Sequence, residues 1–387
     1  MVDFKPKTAN DLVSALKELN EKRQPIQVVG RKTKLEMANG CSVSDMLETS
    51  ALSGVNFYEP SELAISVQAG TPLSVVEAEL EKCGQRLAFE PPKLSKLLTG
   101  NNNADPSIGG LVATNLSGPA RVSRGALRDH LLGVEFVNGK GEAVKSGGRV
   151  MKNVTGYDLC KVLAGSWGTL GVLTNVVLKT LPKMETETTL LIACNNLAEA
   201  GGVMRQAMQT PFDVISAAYL PTTCGMRHVA AIRIEGLIPS VVYRVAELES
   251  ELGGNEKSQI SDQASIDFWE GVGEVSDHLT VTDKVWKVSV APTEGPKILE
   301  RLLEVGGRSG FLDWSGGLIW LGADADDQTV LSDLERWLQD ALGGHATLVK
   351  GRADTLRSQL PEKQKNLMQL VKSAFDPNGI LSPGRFV

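Results

Sequence analysis

The apolar positions fall into helical stripes and short strand-like runs that alternate along the chain. Leu12, Ala15, Leu16 and Leu19 recur at three- and four-residue spacing between Thr8 and Asn20, which predicts an amphipathic helix. It leads into the continuous apolar run Pro25 to Gly30, the pattern of a short buried strand. Leu63 to Gly70 predicts a second strand. Thr71 and Pro72 are expected as N-cap and first residue of a helix over Leu73 to Cys83, closed by Gly84. Val134 to Val137 and Glu142 to Lys145 flank Asn138-Gly139-Lys140-Gly141, a predicted hairpin whose Asn-Gly pair supplies the positive φ angles. Leu170 to Leu178 reads as a further strand, bounded by Pro182.

Beyond Pro182 the texture changes. Predicted strands over Thr188 to Ala193, Val229 to Ile234, Lys287 to Val290 and Gly317 to Leu321 alternate with amphipathic helices over Leu197 to Gln209, Pro239 to Leu252, Gly295 to Val305 and Thr329 to Leu342. This is an α+β layer and a second domain. From Pro361 a helical pattern runs to Phe375. There Asp376-Pro377-Asn378-Gly379 turns the chain toward Pro383-Gly384-Arg385-Phe386, and the tail is expected to return to the first domain.

At 387 residues, 42% hydrophobic and 22% charged, the chain exceeds the usual single-domain size. A net charge of −6 without a long basic run argues against nucleic acid as the principal partner. The first residues show no signal-peptide pattern, and no stretch approaches the roughly 20 apolar residues of a membrane span. The expected location is the cytoplasm, with any place at the inner membrane owed to partners. The five cysteines (Cys41, Cys83, Cys160, Cys194, Cys224) are scattered, without Cys-x-x-Cys spacing, and read as reduced thiols rather than metal ligands.

Glycine carries the chemistry. Of 39 glycines, 14 lie between Gly100 and Gly171, a concentration that turns alone do not explain, since glycine in regular elements costs about 0.5 to 1 kcal/mol against alanine. Two runs stand out, Ser107-Ile108-Gly109-Gly110-Leu111-Val112-Ala113-Thr114-Asn115-Leu116-Ser117-Gly118 and Gly165-Ser166-Trp167-Gly168-Thr169-Leu170-Gly171-Val172. Before them, Gly30-Arg31-Lys32-Thr33-Lys34 follows the first strand with successive amides, a hydroxyl and three cations. That composition suits either a solvated basic turn or a pyrophosphate seat. It is neither a Walker loop nor a Gly-x-Gly-x-x-Gly dinucleotide fingerprint.

These pieces, with Ala69-Gly70, Pro91-Pro92, Gly125, Arg128-Asp129 and Thr155-Gly156-Tyr157-Asp158-Leu159, stand in the order of the FAD-binding domain of the vanillyl-alcohol oxidase and p-cresol methylhydroxylase (PCMH-type) family, which the chain resembles from about residue 5 to Pro182. The resemblance implies a two-part α+β FAD-binding domain over 1–182, a smaller α+β cap domain over 183–349 and a returning segment over 350–387. It also implies FAD contacts at Gly30, Arg31, Lys32, Thr33, Lys34, Pro106, Ser107, Ile108, Gly109, Gly110, Asn115, Ser117, Gly118, Gly125, Gly168, Gly171 and Val172. Arg31 to Lys34 and Ser107 to Gly110 would enclose the pyrophosphate, Asn115 to Gly118 would lie near the flavin, and Val172 would line the adenine end. Arg31 and Lys32 stand where many relatives carry glycine. Asp129 and Asp158 are read as structural caps, and Trp167 as a packing residue.

Within that family the whole chain, including Tyr219-Leu220-Pro221 and the ending from Phe375 to Phe386, is similar to the FAD-binding E subunits of bacterial glycolate oxidases. That likeness implies a catalytic flavoprotein subunit and an iron–sulfur subunit as partners, and an electron-transfer or accessory role in oxidising glycolate to glyoxylate. An assembly scaffold and a self-sufficient 2-hydroxy acid dehydrogenase are the alternatives. The His-x-Gly-Asp-Gly-Asn segment usual in catalytic relatives is absent. His130, His228, His278 and His345 are isolated in sequence, so no catalytic base is assigned, and no histidine follows Gly30 to attach the flavin covalently. The expected cofactor is non-covalent FAD, with no metal.

Overall fold

A computed structural model describes the chain except residues 1–2, 38–39, 150–155, 280–281, 325–331, 333–343, 352–361 and 386–387. The predicted helix over Thr329 to Leu342, apart from Ser332, and the residues Thr155, Pro361 and Phe386 lie outside the described residues. The fold is α+β. The chain forms two compact units, one of Met1–Ser117, Ala126–Lys183 and Leu360–Val387, the other of Gly118–Gly125 and Met184–Gln359.

In the first unit, the helix Ala9–Glu21 starts at a capping box in which Thr8 and Asp11 exchange side-chain and backbone hydrogen bonds. Its stripe of Leu12, Leu16 and Leu19 is fully buried with Ile26, Leu47, Val137, Val172, Ile380 and Leu381. Beside it, the parallel strands Asp3–Phe4, Met46–Glu48 and Gln27–Val29 form a small sheet in that order. A larger antiparallel sheet runs Val55–Glu59, Ala64–Gln68, Val172–Pro182, Leu131–Val137, Ala143–Gly147, and Gln85–Leu87 pairs with the far end of Val172–Pro182. Its core packs Ile65, Val67, Val134, Phe136 and Val176 against Leu73, Val76 and Leu80 of the helix Leu73–Glu81.

Two local expectations are corrected. Thr71 does not cap the helix after it. Its hydroxyl donates to Gln68 and Gly54 carbonyls and accepts from the Gly54 amide, so Pro72 is the N-cap, and the Asp105 carboxylate accepts from the first-turn amide of Ser74. In the predicted hairpin the positive φ falls on Gly141 (76°) rather than on Gly139. The Asn138 side chain closes the loop by accepting from the Lys140 and Glu142 amides, while Gly139 gives its amide to the Phe375 carbonyl.

The tail runs through the helix Glu362–Phe375 and then beside Gln27–Val29. The Ile26 amide donates to the Ile380 carbonyl and the Ser382 amide to the Ile26 carbonyl, each at 2.8 Å, and the Ser382 hydroxyl accepts from the Val28 amide. Lys372 anchors the bend by donating to Asp376 Oδ2 and to the carbonyls of Thr169 and Leu381.

In the second unit an eight-stranded antiparallel sheet runs Lys257–Ser261, Thr186–Ala193, Met226–Gly236, Ser216–Thr223, Ser309–Asp313, Leu318–Ala323, Lys284–Ser289, His345–Lys350. One face meets the helices Leu197–Gln209, Ile238–Glu251 and Gly295–Glu304 across a core that includes Leu190, Ile232, Trp286, Ile319 and Leu321.

Candidate functional site

In the first unit a cleft opens at the end of the strand Gln27–Val29. It holds about 750 Å³ of atom-free space, part of it open to solvent, and is walled by Val28 to Leu35, Thr49, Ala69, Ser107, Gly109, Gly110, Ala113, Thr114, Ser166 to Gly168, Gly171, Leu173 and Arg385. Segments separated by up to some 350 residues meet there. Ten of the residues expected at the cofactor therefore share one hollow: Gly30, Arg31, Lys32, Thr33, Lys34, Ser107, Gly109, Gly110, Gly168 and Gly171.

The two expected anion-gripping loops differ in what they leave free. Among the described residues the amides of Gly30, Arg31, Lys32 and Thr33 make no hydrogen bond, so this loop offers a row of unspent donors. In the second run the amides are taken. Ile108 donates to the Thr71 carbonyl, Gly109 to the Ala69 carbonyl at 2.7 Å, and Gly110 to the Ser107 hydroxyl. Gly109 is needed for close packing, because a Cβ there would lie 2.8 Å from Ala69. A Cβ on Gly171 would likewise lie 2.5 Å from the Phe136 ring.

The cations are also unequal. Arg31 Nε donates to the Asp105 carbonyl at 2.8 Å, which holds the guanidinium at the rim. Lys32, at φ 61°, turns its ammonium away to Glu48, 2.9 Å distant. Burial pushes the Glu48 carboxyl up, but hydrogen bonds from Lys32, Ser50 and Lys5 outweigh that and hold it down at about 2. Lys34 is buried and donates to the Lys93 carbonyl.

Arg385 is the residue that sequence reading missed. It is 5% exposed, its two terminal nitrogens donate to the carbonyls of Met37 and Leu35, and its Nε has no hydrogen-bond partner among the described residues. A buried guanidinium that lines a hollow and leaves one donor unspent fits an anionic ligand. The only signal was a lone arginine after Pro383-Gly384, and nothing local ties it to Met37. Trp167, read as packing, stands half-buried in the cleft wall at φ 57°.

The other expected residues lie outside the lining. Pro106 gives its carbonyl to the Leu73 amide, and Ile108 and Val172 are buried in the two cores. Asn115, at φ 49°, ends the helix Ile108–Thr114 and accepts from the Arg128 amide, and Ser117 accepts from the Leu127 amide. Gly118 and Gly125 fall within the second unit. Asp129 and Asp158 accept from the amides of Ala126 and Lys161, as caps do.

Each histidine has its own neighbours. His130 stacks on Phe89, His228 Nδ1 lies 3.0 Å from the Tyr219 hydroxyl, His278 packs on Phe268 and Phe311, and His345 sits on the edge strand. Among the described residues there is no metal-holding group of His, Cys, Asp and Glu, and no helix is long and apolar enough to cross a membrane.

Comparison with known proteins bears on this cleft. Residues 2–147 match the family model described as FAD binding domain, and residues 350–386 match that of FAD linked oxidases, C-terminal domain. Glycolate oxidase subunit GlcE of Escherichia coli (strain K12) is 31% identical over 94% of this chain and 93% of its own length. Glycolate oxidase subunit GlcD of Bacillus subtilis (strain 168) is 30% identical over 56% of this chain and 43% of its own, and D-lactate dehydrogenase of Anaerostipes hadrus is 25% identical over 98% and 87%. Among solved structures, an alkyldihydroxyacetonephosphate synthase shares the fold, with a TM-score of 0.71 at 14% identity over 99% of this chain and 75% of its own. The chain belongs to the FAD-linked oxidase family that includes glycolate oxidase subunit GlcE, and FAD is its cofactor.

Proposed function

We propose that this chain is the FAD-binding accessory flavoprotein of a multi-subunit dehydrogenase that oxidises glycolate to glyoxylate, assembled with a catalytic flavoprotein subunit and an iron–sulfur subunit. The observation that carries the reading is the cleft between Gly30–Lys34, Ser107–Gly110 and Arg385, together with near full-length similarity to a glycolate oxidase subunit.

In this reading the free amides of Gly30 to Thr33 and the Arg385 Nε hold the pyrophosphate, with Lys34 as the nearby buried cation. Ser107 and Thr33 contribute hydroxyls. Bound FAD supplies two-electron and one-electron transfer, and the chain's residues place it and exclude water. Lys32, engaged by Glu48, contributes its backbone only. Of the remaining expected contacts, Pro106, Ile108, Asn115, Ser117 and Val172 act by shaping the first unit around the cleft. The location that fits is the cytoplasmic side of the inner membrane, reached through the partner subunits.

The accessory role follows from chemistry. Hydroxy acid oxidation needs a base near neutral pH, and the four histidines are isolated in sequence, without the His-x-Gly-Asp-Gly-Asn segment usual in catalytic relatives. Dye-linked glycolate oxidation by the purified FAD-loaded chain, alone and with its co-expressed partner subunits, tests this. Turnover is expected from the assembled complex only, and robust turnover by the isolated chain overturns the accessory role.

A further inference from the structure

Behind the cleft of the first unit lies an ionic node that the cofactor reading does not use. In the helix Glu362–Phe375, Lys372 stands one turn before Asp376. Its ammonium donates to Asp376 Oδ2 at 2.5 Å, to the Thr169 carbonyl at 2.6 Å and to the Leu381 carbonyl at 2.9 Å. An ammonium has three donors, and all three are spent. Lys372 is not part of the cleft wall, so it keeps nothing with which to hold a ligand directly.

Its acceptors belong to two cleft-forming turns. Thr169 closes the first, since its amide and its hydroxyl both donate to the Ser166 carbonyl. Within that turn Trp167 (φ 57°) and Gly168 (φ 71°) are left-handed, and Ser166, Trp167 and Gly168 wall the cleft. Trp167 is not glycine, and such a conformation persists where surrounding contacts over-determine it. The bond from the Trp167 amide to the Ala113 carbonyl is one such contact, and the bond from Lys372 to Thr169 is another.

Leu381 leads into the second turn. Ser382 is buried and left-handed at φ 43°, and its carbonyl accepts from the Arg385 amide, so the cleft-lining guanidinium leaves the backbone one tight turn after Leu381. Asp376, 2% exposed, fixes the start of this segment: Oδ1 accepts from the Ile380 amide and Oδ2 from the Leu381 amide. One ammonium thus joins the turn at Thr169 to the turn that bears Arg385.

We infer that Lys372 is a positioning residue for FAD, which sets the turn at Thr169 and the turn that bears Arg385 at one separation so that both meet the cofactor together. Charge-assisted hydrogen bonds are short and strong, and a buried ammonium cannot slide between fixed acceptors without leaving one bond unmade. The inference rests on the reading of Arg385 as a pyrophosphate ligand and adds to it a residue outside the cleft.

The test is a double-mutant cycle on FAD affinity, read by titrating the flavin-stripped chain well below its melting temperature. Affinity should fall about tenfold or more in Lys372→Met, and the variant that also carries Arg385→Met should lose little beyond the larger single loss, because Lys372 acts through the placement of Arg385. Since Met at 372 leaves Asp376 buried without its cation, the cycle is repeated with Asp376→Asn added, which removes that charge and should show the same loss. Thr8→Ala, which removes the capping box of the helix Ala9–Glu21, is the control for stability alone and should melt earlier at unchanged FAD affinity. Unchanged affinity in both Lys372→Met backgrounds, with Arg385→Met weakened, overturns the inference and leaves the cofactor reading in place. Losses that multiply in the combined variant, or an equal loss in Thr8→Ala, overturn it as well. Full affinity in Arg385→Met removes the reading of Arg385 and the inference with it.

Discussion

Gly30 and Ser107 touch across the cleft so closely that a methyl group on Gly30 would collide with the Ser107 hydroxyl oxygen, while lying 3.4 Å from the Ser107 Cβ. The same hydroxyl accepts from the Gly110 amide as the cap of the helix Ile108–Thr114. A substitution at Gly30 is thus felt at Gly110, through one rotatable oxygen.

Gly30→Ala should therefore cost about 1 kcal/mol, the worth of a helix cap, as Ser107 turns away. Ser107→Ala should cost a similar amount by itself. In the double variant the methyl groups meet at ordinary contact distance, so the combined loss should be well below the sum. Urea unfolding of the four proteins checks this, and strict additivity would refute the contact.

Acid should act through Glu48. Its carboxyl is held at about 2 in the folded chain against an ordinary 4.5, so it adds stability that is fully present above pH 4.5 and is lost as pH falls toward 2. Glu48→Gln should remove about 1 kcal/mol of stability at neutral pH, after allowing for solvent screening of the exposed lysines, and flatten the loss over that window. Thermal melts of both proteins across the acid range measure it. Parallel curves would mean that Lys32 and Lys5 contribute nothing through this carboxylate.

The thiols should separate by burial. Cys83 and Cys224 are exposed, Cys41 is half-buried, and burial first of all pushes the Cys160 and Cys194 thiols up to about 11. At mildly alkaline pH a disulfide reagent should label Cys83 and Cys224 first, and Cys160 and Cys194 only on unfolding. Cys83→Ser with Cys224→Ser should abolish the fast phase. Prompt labelling of Cys160 in the native chain would contradict the packing around it.

The periodicity of the sequence carried the elements well where a stripe or an alternation met a core. Leu12, Leu16 and Leu19 are all fully buried, and the helix over Leu197 to Gln209 has the bounds its spacing predicts. It failed where a side chain takes over the work of backbone, as at Thr71 and Asn138. In the cleft, the glycine runs were legible but their physical cause was not. Gly109 and Gly171 make room for Ala69 and Phe136, and the unspent amides belong to the loop from Gly30 to Thr33, which carries two bulky cations. Arg385 was illegible because its place depends on a contact spanning most of the chain, to the carbonyls of Leu35 and Met37.

The central claim is that this cleft holds FAD by the Gly30–Thr33 amides and the Arg385 guanidinium. The most direct measurement is titration of the flavin-stripped chain with FAD, followed by quenching of tryptophan fluorescence, for the unsubstituted protein and for Arg385→Met. The account predicts saturation at one non-covalent FAD per chain, and affinity lower by about tenfold or more in the variant when both proteins are titrated well below their melting temperatures. Failure of the unsubstituted chain to take up FAD, or equal affinity in the two proteins, would contradict it.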